Sequence, residues 1–405
     1  MTARAAARAG GAVLVLKAGR EKSLKRRHPW VFSGAIEKVV GDPVSGDTVL
    51  VRSAEGQPLG LAAYSSQSQI RGRIWSFDPT ITIDAAFLRE RVQRALELRE
   101  RLPLSRHSNA MRLIHAESDG LPGLIVDRFA DVLVAQFLSA GTERWREDIL
   151  DALVELTRCE AVFERSDAEV RTLEGLPERA GFVRGNTDAS RCAISEHGLV
   201  FRVDIAAGQK TGFFLDQRAN RLRVRELSAG REVLDCFCYT GGFALASLAG
   251  GAKQVTAIDS SQSAIAAARA NLAANALPSR SLVFKEADVF LHLRELRNRG
   301  SKFDLVVLDP PKFAPTAAQV ENASRAYKDI NLLALKLLAP GGLLATFSCS
   351  GGVSPDLFQK IVAGAALDAG GEAKIIERFG PAADHPVALE FPEGDYLKGL
   401  LVYRG

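Results

Sequence analysis

Val233-Leu234-Asp235-Cys236-Phe237-Cys238-Tyr239-Thr240-Gly241-Gly242-Phe243 is the stretch whose reading decides the fold. Val233 and Leu234 centre a short buried strand from Glu232 to Asp235, which stops at an acid and gives way to a Thr-Gly-Gly turn. Phe243 to Leu248 then opens an alanine-rich helix. A strand, a tight glycine turn and a helix N-terminus make a nucleotide-type site at the carboxyl edge of a parallel sheet. Glycine lets the backbone approach a ligand closely, and the free N–H groups of the first helical turn face it. Further on, Val255-Thr256-Ala257-Ile258-Asp259 repeats the design. A carboxylate at that point can accept hydrogen bonds from both hydroxyls of a ribose.

The spacing G-x-G-x-x-G of a dinucleotide site is missing. An acid closing the first strand suits an amine-bearing ligand better than a pyrophosphate, which favours S-adenosylmethionine (SAM), whose ammonium group needs an anion. The stretch resembles the D-x-F-x-Y-T-G-G-F form of motif I in class I SAM-dependent methyltransferases that act on RNA. That resemblance implies a donor pocket formed by Asp235, Phe237, Tyr239, Thr240, Gly241, Gly242 and Asp259.

Downstream the chain alternates regularly. The pattern predicts a helix over Ser260–Ala276, a strand over Ser281–Lys285, a helix starting at Ala287-Asp288-Val289-Phe290 and a strand over Phe303–Asp309. A helix over Ala317–Leu338, a strand over Gly342–Ser348 and a helix over Pro355–Leu367 follow, then strands over Glu372–Phe379 and Lys398–Tyr403. Such alternation specifies an α/β, doubly wound, Rossmann-like sheet with right-handed crossovers. Leu401-Val402-Tyr403 is expected to supply the antiparallel edge strand of a class I methyltransferase.

Three positions on the same rim carry chemistry. Asp288 follows a strand where a carboxylate can accept from an adenine amino group, or simply cap the next helix. Asp309-Pro310-Pro311-Lys312-Phe313 ends the fourth strand; paired prolines continue neither strand nor helix, so the chain leaves rigidly and aims Asp309 into the cleft, toward donor and target base. This loop resembles motif IV of nucleic-acid methyltransferases, in which such a loop grips an exocyclic amine or an acid pairs with the N3–N4 edge of cytosine. Ser348-Cys349-Ser350-Gly351-Gly352 ends the fifth strand, and a thiol there is a candidate nucleophile that needs a neighbouring cation or helix N-terminus to ionise. Lys312 and the helix after Gly351 are candidates for that help. A small buried hydrophobe is the other reading of Cys349.

Upstream, residues 12–76 read as short strands between turns, a pattern that favours a small barrel. Lys17, Arg20, Lys22, Lys25, Arg26 and Arg27 crowd against one acid, Glu21, ahead of His28-Pro29-Trp30-Val31-Phe32. Basic side chains beside aromatics suit a phosphate backbone and splayed bases; a solvated basic face with Trp30 mostly in the core is the alternative. Residues 20–36 resemble the opening of a PUA domain, a pseudo-barrel RNA-binding module, which implies RNA contact by Lys22, Lys25, Arg26 and Arg27. Asp84 should cap an amphipathic helix over Ala85–Leu102, and the strands and helix up to Arg165 suit a small α+β domain. Ala116 to Arg128, rich in acids, reads as a hairpin with solvated charges. Phe213 and Phe214 sit on a glycine turn, either against an adenine or target base or in the core, and Asp216 can cap the helix that follows. The expected domains are 12–78 (PUA-like), 79–190 (central α+β) and 191–405 (methyltransferase).

Composition agrees with a soluble globular protein: 405 residues, 47% hydrophobic, 25% charged and a net charge of +4. Five cysteines in so long a chain do not make a disulfide framework, which points to a reducing, cytoplasmic compartment. No apolar run reaches membrane-spanning length, so no membrane partner is expected. Residues 1–11 lack the apolar core of a signal peptide. No Cys/His cluster completes a metal site. Cys236 and Cys238 read as packing residues beside the cofactor loop.

Phe347-Ser348-Cys349-Ser350, Asp356 to Ile361, Asp384-His385-Pro386-Val387 and Phe391 to Gly399 together resemble the bacterial ribosomal large subunit methyltransferase I family, over a length from about Ala12 to the end. The resemblance implies formation of 5-methylcytosine in 23S rRNA, with Cys349 as nucleophile, Asp309 as the acid gripping the base, and SAM as donor. The chain lacks the Pro-Cys of motif IV found in the other large group of RNA cytosine-C5 enzymes, so the group that removes the C5 proton stays open. Two other readings remain: an exocyclic-amine methyltransferase using the Asp-Pro-Pro-Lys-Phe loop, and a non-catalytic RNA-binding ribosome-assembly factor. Some proteins of this fold are dimers, and the sequence is silent on a homodimer here.

Overall fold

The computed structural model describes residues 11–189, 192–313 and 319–405. It divides into two compact units: one of residues up to Ile194 with Val203–Leu215 and Ala383–Gly394, the other of Ser195–Arg202, Asp216–Ala382 and Asp395–Gly405.

The first unit opens with a six-stranded sheet of β1 (Val13–Leu16), β2 (Trp30–Phe32), β3 (Ile36–Val40), β4 (Thr48–Arg52), β5 (Pro58–Tyr64) and β6 (Ile70–Ser76), in the order β2-β6-β5-β4-β1-β3. Leu14, Leu16, Val31, Val49, Val51, Ala62 and Ile74 fill its core. A single helical turn, α1 (Lys22–Lys25), projects the basic cluster: Lys22, Lys25, Arg26 and Arg27 are all exposed, and Lys25 pairs with Glu21 at 3.6 Å. Trp30 is half-buried, its Nε1 donating to Glu117 at 2.8 Å.

Asp84 caps α2 (Ala85–Glu100) by accepting from the Phe87 N–H at 2.9 Å, as the sequence predicts. A five-stranded sheet follows, β7 (Ala110–His115), β8 (Leu124–Phe129), β9 (Val132–Phe137), β10 (Ala161–Ser166) and β11 (Arg179–Arg184), ordered β11-β10-β9-β8-β7. The chain between β9 and β10 forms two helices, α3 (Ala140–Arg144), which opens at a Ser139 capping box, and α4 (Arg146–Thr157), which starts where the chain breaks at Trp145.

The acids of residues 116–128 are not solvated, contrary to expectation. Glu117 also accepts from Arg73 at 2.7 Å, Asp119 takes both arms of Arg99 at 2.7 and 2.8 Å, and Asp127 takes Arg112 at 2.6 and 2.8 Å and the Thr211 hydroxyl at 2.6 Å. Each carboxylate has an arginine partner distant in sequence, which is the condition for burying a charge. Leu24's helix, the hairpin and the Ala383–Gly394 segment belong to this one unit, where Asp384 Oδ2 accepts from the Arg112 N–H at 3.0 Å.

A two-stranded sheet, β12 (Cys192–Glu196) and β13 (Leu199–Val203), and helix α5 (Arg218–Glu226) precede the main sheet. Asp216 does not cap α5: Gln217 holds that position with no side-chain cap bond, and Asp216 accepts from the Tyr396 hydroxyl at 2.5 Å.

The second unit is built on seven strands: β14 (Glu232–Cys236), β15 (Gln254–Asp259), β16 (Leu282–Glu286), β17 (Phe303–Leu308), β18 (Leu338–Ser348), β19 (Ala373–Phe379) and β20 (Lys398–Arg404), ordered β16-β15-β14-β17-β18-β20-β19. The first five are parallel to one another and joined through helices, giving the doubly wound α/β fold. β20 is the antiparallel strand, but it is not at the edge: it pairs β18 on one side and β19 on the other, so Ala373–Phe379 closes the sheet. Its continuous burial from Lys398 to Val402 needs cover on both sides, which an edge strand lacks.

Candidate functional site

Every parallel strand of the second unit ends on the same rim, so the chain leaves each one where a ligand can meet its last residues. Asp235 is the penultimate residue of β14, Asp259 ends β15, Asp288 follows β16, Asp309 follows β17 and Cys349 follows β18. The unit thus gathers the four acids and the thiol. Phe214 and the basic cluster belong to the other unit.

The loop after β14 is tightly wound. Phe237, Tyr239 and Gly241 have φ of +62°, +48° and +82°, three left-handed residues within five. It is fixed by Cys238 N–H on the Ile258 carbonyl (3.0 Å), Gly241 N–H on the Cys238 carbonyl (2.8 Å) and Asn271 Nδ2 on the Thr240 carbonyl (3.0 Å). Such strain persists only where the surroundings over-determine it, as they do at ligand clamps. A Cβ on Gly241 would meet Leu245 Cδ1 at 3.0 Å and Ala268 Cβ at 3.2 Å. Gly241→Ala should therefore lower stability by about 1–2 kcal/mol through backbone conformation alone, visible as a lower melting temperature.

Asp235 is fully buried, and among the described residues neither of its carboxylate oxygens makes a well-formed hydrogen bond, the Ala244 amide being near it without good geometry. Burial first, and then the Asp309 charge, hold its carboxyl well above the usual carboxylate range; the Ala244 backbone amide opposes this and Asp259 adds to it. An orphaned buried carboxylate beside a glycine turn fits the ammonium group of SAM. Asp259 accepts from the Tyr239 and Ser261 N–H groups, each at 2.9 Å, which fixes the carboxylate on the rim with lone pairs to spare for ribose hydroxyls. Asp288 is exposed and caps the helix Val289–Asn298 through the Leu291 N–H at 2.9 Å, so the capping role foreseen for it is real.

Asp309 is half-buried and accepts from Gln217 Nε2 at 2.9 Å, while Gln217 Oε1 in turn accepts from Asn220 Nδ2 at 2.6 Å. Lys312 is exposed on the loop beyond it. The helix expected from Ala317 is described from Val320 to Leu337, its first residues lying outside the described ones. Phe213 is buried, whereas Phe214 is half-buried with Lys210 Nζ 4.6 Å from its ring centre.

Cys349 is half-buried, whereas the other four cysteines are buried. Burial pushes the Cys236 and Cys238 thiols well up, so neither is a ready nucleophile. The loop around Cys349 is held by groups the sequence did not single out. The Tyr327 hydroxyl lies 3.0 Å from both Ser348 Oγ and Ser350 Oγ, and Lys398 Nζ donates to the Ser350 carbonyl at 2.9 Å. A lysine opening an otherwise apolar strand, Lys398-Gly399-Leu400-Leu401-Val402, was the available signal for the second of these.

Comparison with known proteins agrees with this geometry. Residues 177–401 match the family model for S-adenosylmethionine-dependent methyltransferases, and residues 14–77 match that of a PUA-like domain. The chain is 52% identical over 392 residues to the ribosomal RNA large subunit methyltransferase I of Aeromonas hydrophila, covering 96% of this chain and 99% of that one. It is 50% identical over 386 residues to the protein of the same name from Shewanella amazonensis, covering 95% and 98%. In fold it is similar to a solved structure assigned to the SAM-dependent methyltransferases from Streptococcus mutans (TM-score 0.84, 22% identity, 96% and 99% covered). A second such structure, complexed with SAH, has a TM-score of 0.85 at 22% identity, with the same coverage. The chain belongs to the S-adenosylmethionine-dependent methyltransferases, in the family of the ribosomal RNA large subunit methyltransferase I proteins.

Proposed function

We propose that the protein methylates C5 of a cytosine in 23S rRNA through a covalent bond between Cys349 Sγ and C6 of the ring. The observation that carries this reading is a half-buried thiol ending β18, on the strand next to the one that delivers Asp309. Relatives at about half identity over nearly the whole chain are named for ribosomal RNA.

Cytosine C5 is too weak a nucleophile to react unaided. Addition of the Cys349 thiolate to C6 makes C5 an enamine-like carbon, which can take a methyl group. Bound SAM supplies that methyl as an electrophile on a sulfonium. A base then takes the C5 proton, and elimination of Cys349 restores the ring and frees the thiolate. Asp309 grips the N3–N4 edge of the base, held in place by Gln217. Asp235 takes the ammonium of the donor, Asp259 its ribose and Asp288 its adenine amino group, while Phe237, Tyr239, Thr240, Gly241 and Gly242 shape the pocket with Asp309. Lys22, Lys25, Arg26, Arg27 and Lys312 neutralise RNA phosphates. The functional division is 12–78 for RNA binding, 79–190 as central domain and 191–405 for catalysis, and the protein works in the cytoplasm. Among the described residues no helix is long and apolar enough to cross a membrane.

The test is incubation with methyl-labelled SAM and unmodified 23S rRNA, followed by nucleoside mass spectrometry. Labelled 5-methylcytidine is expected; label on an exocyclic nitrogen, or no transfer at all, contradicts the reading.

A further inference from the structure

We propose that Lys398 is the positioning residue that makes Cys349 reactive, its ammonium both anchoring the Ser348–Ser350 turn and favouring the thiolate; this rests on the reading of Cys349 as nucleophile.

β18 and β20 run antiparallel with Ser348 opposite Lys398, so the first residue of β20 lies beside the point where β18 releases the chain to Cys349. The side chain is buried, and its Nζ donates to the Ser350 carbonyl at 2.9 Å, one residue past the thiol. One bond to a neutral carbonyl does not offset the burial of an ammonium, which keeps two further donors. Among the described residues no carboxylate forms an ion pair with it within 4.0 Å; the charged groups that act on it are Cys349 and Asp395, which favour the ammonium, and Lys312, which opposes it. Burial is the largest influence and lowers the pKa of Lys398. A thiolate at Cys349 therefore relieves the lysine as the lysine stabilises the thiolate: the same interaction energy acts on both groups. The third ionisable neighbour, Tyr327, is held neutral by burial foremost, its hydroxyl committed to Ser348 and Ser350. It braces the turn but brings no positive charge.

The proton balance is simple. Sγ–H loses its proton to solvent, leaving a thiolate beside a standing cation. After elimination from C6 the same thiolate returns to that environment, with no oxidant or reductant involved. A thiol with an ordinary pKa of about 8.5 is only a few per cent ionised at neutral pH, and lowering the pKa by one unit raises the thiolate fraction nearly tenfold.

The experiment measures the rate of iodoacetamide alkylation of Cys349 against pH in the full-length protein, following the Cys349 peptide by mass spectrometry so that the buried cysteines do not interfere. Lys398→Met keeps an unbranched apolar stem in place of the lysine's methylenes and removes the charge. Alkylation at pH 7 is expected to fall about tenfold and its midpoint to rise by about one pH unit, with SAM affinity within twofold of the parent. Lys398→Arg, which keeps the charge, is expected to hold the midpoint near that of the parent. A Lys398→Met profile that superimposes on the parent overturns the proposal. Should that variant show no melting transition, Lys398→Gln, neutral and polar, is read in the same way. Alkylation does not depend on turnover, so failure of the nucleophile reading would appear separately, as a Cys349→Ala protein that still transfers methyl groups.

Discussion

Cys349→Ala is expected to reduce methyl transfer by on the order of 10⁴-fold or more in single-turnover measurements, the scale on which enzymes lose rate when a covalent nucleophile is removed. The size follows from the chemistry: without a bond at C6 no enamine forms, and C5 has no electron pair with which to take the methyl group. The loss should be confined to the chemical step. Cys349 is half-buried at the end of β18, outside the core cluster around Leu344, Tyr327 and Phe358, so removing its sulfur opens no large cavity. SAM binding and the melting temperature should stay close to those of the parent. An enzyme that methylates an exocyclic amine through the Asp309 loop would keep its rate within a few-fold, which makes this variant the sharpest divider between the two chemistries.

Asp235→Asn should move stability and donor binding in opposite directions. A carboxyl held above its usual range is happiest protonated, so its contribution to folding is fully present below the unfolded carboxyl pKa of about 3.9 and is lost as pH rises through the elevated folded value. At neutral pH the ligand-free protein therefore bears the cost of holding this carboxyl out of water, on the order of 1–3 kcal/mol. Asparagine cannot ionise and so escapes the pH-dependent part of that cost. The ligand-free variant should melt higher than the parent at pH 7, and the difference should shrink as pH falls. SAM, deprived of an anion for its ammonium, should bind about 100-fold more weakly, the usual scale for truncating one partner of a buried charge pair. Calorimetric melts across pH together with titration calorimetry check both signs. Weaker SAM binding accompanied by a lower melting temperature would mean that Asp235 is a structural carboxylate.

What the sequence reveals about this site depends on how local the signal is. The acids at strand ends, the Thr-Gly-Gly turn and the helix cap at Asp288 are each signalled by residues within a few positions, and period and punctuation expose them. Lys398 and Tyr327 reach the Cys349 turn from 48 and 23 residues away, and Gln217 reaches Asp309 across 92. No spacing rule encodes such contacts, because they exist only once the sheet has closed. The same reason explains the acids of residues 116–128: in isolation they read as solvated, and only the fold brings Arg73, Arg99 and Arg112 to them. Strand position within the sheet escapes local reading for a related cause. The sequence points Leu401–Tyr403 to the edge, but the strand that is seventh in sequence is sixth in space, and nothing local in Lys398–Arg404 distinguishes the two.

The bond between one sulfur and one ring carbon is most directly tested with an rRNA substrate carrying 5-fluorocytidine at the methylated position. Fluorine leaves no C5 proton to remove, so after methyl transfer the adduct cannot eliminate. Incubation with SAM, digestion and mass spectrometry should recover a methylated fluoropyrimidine joined to the peptide containing Cys349. Recovery of free protein and free RNA, when the natural cytidine substrate is turned over under the same conditions, would contradict the covalent mechanism.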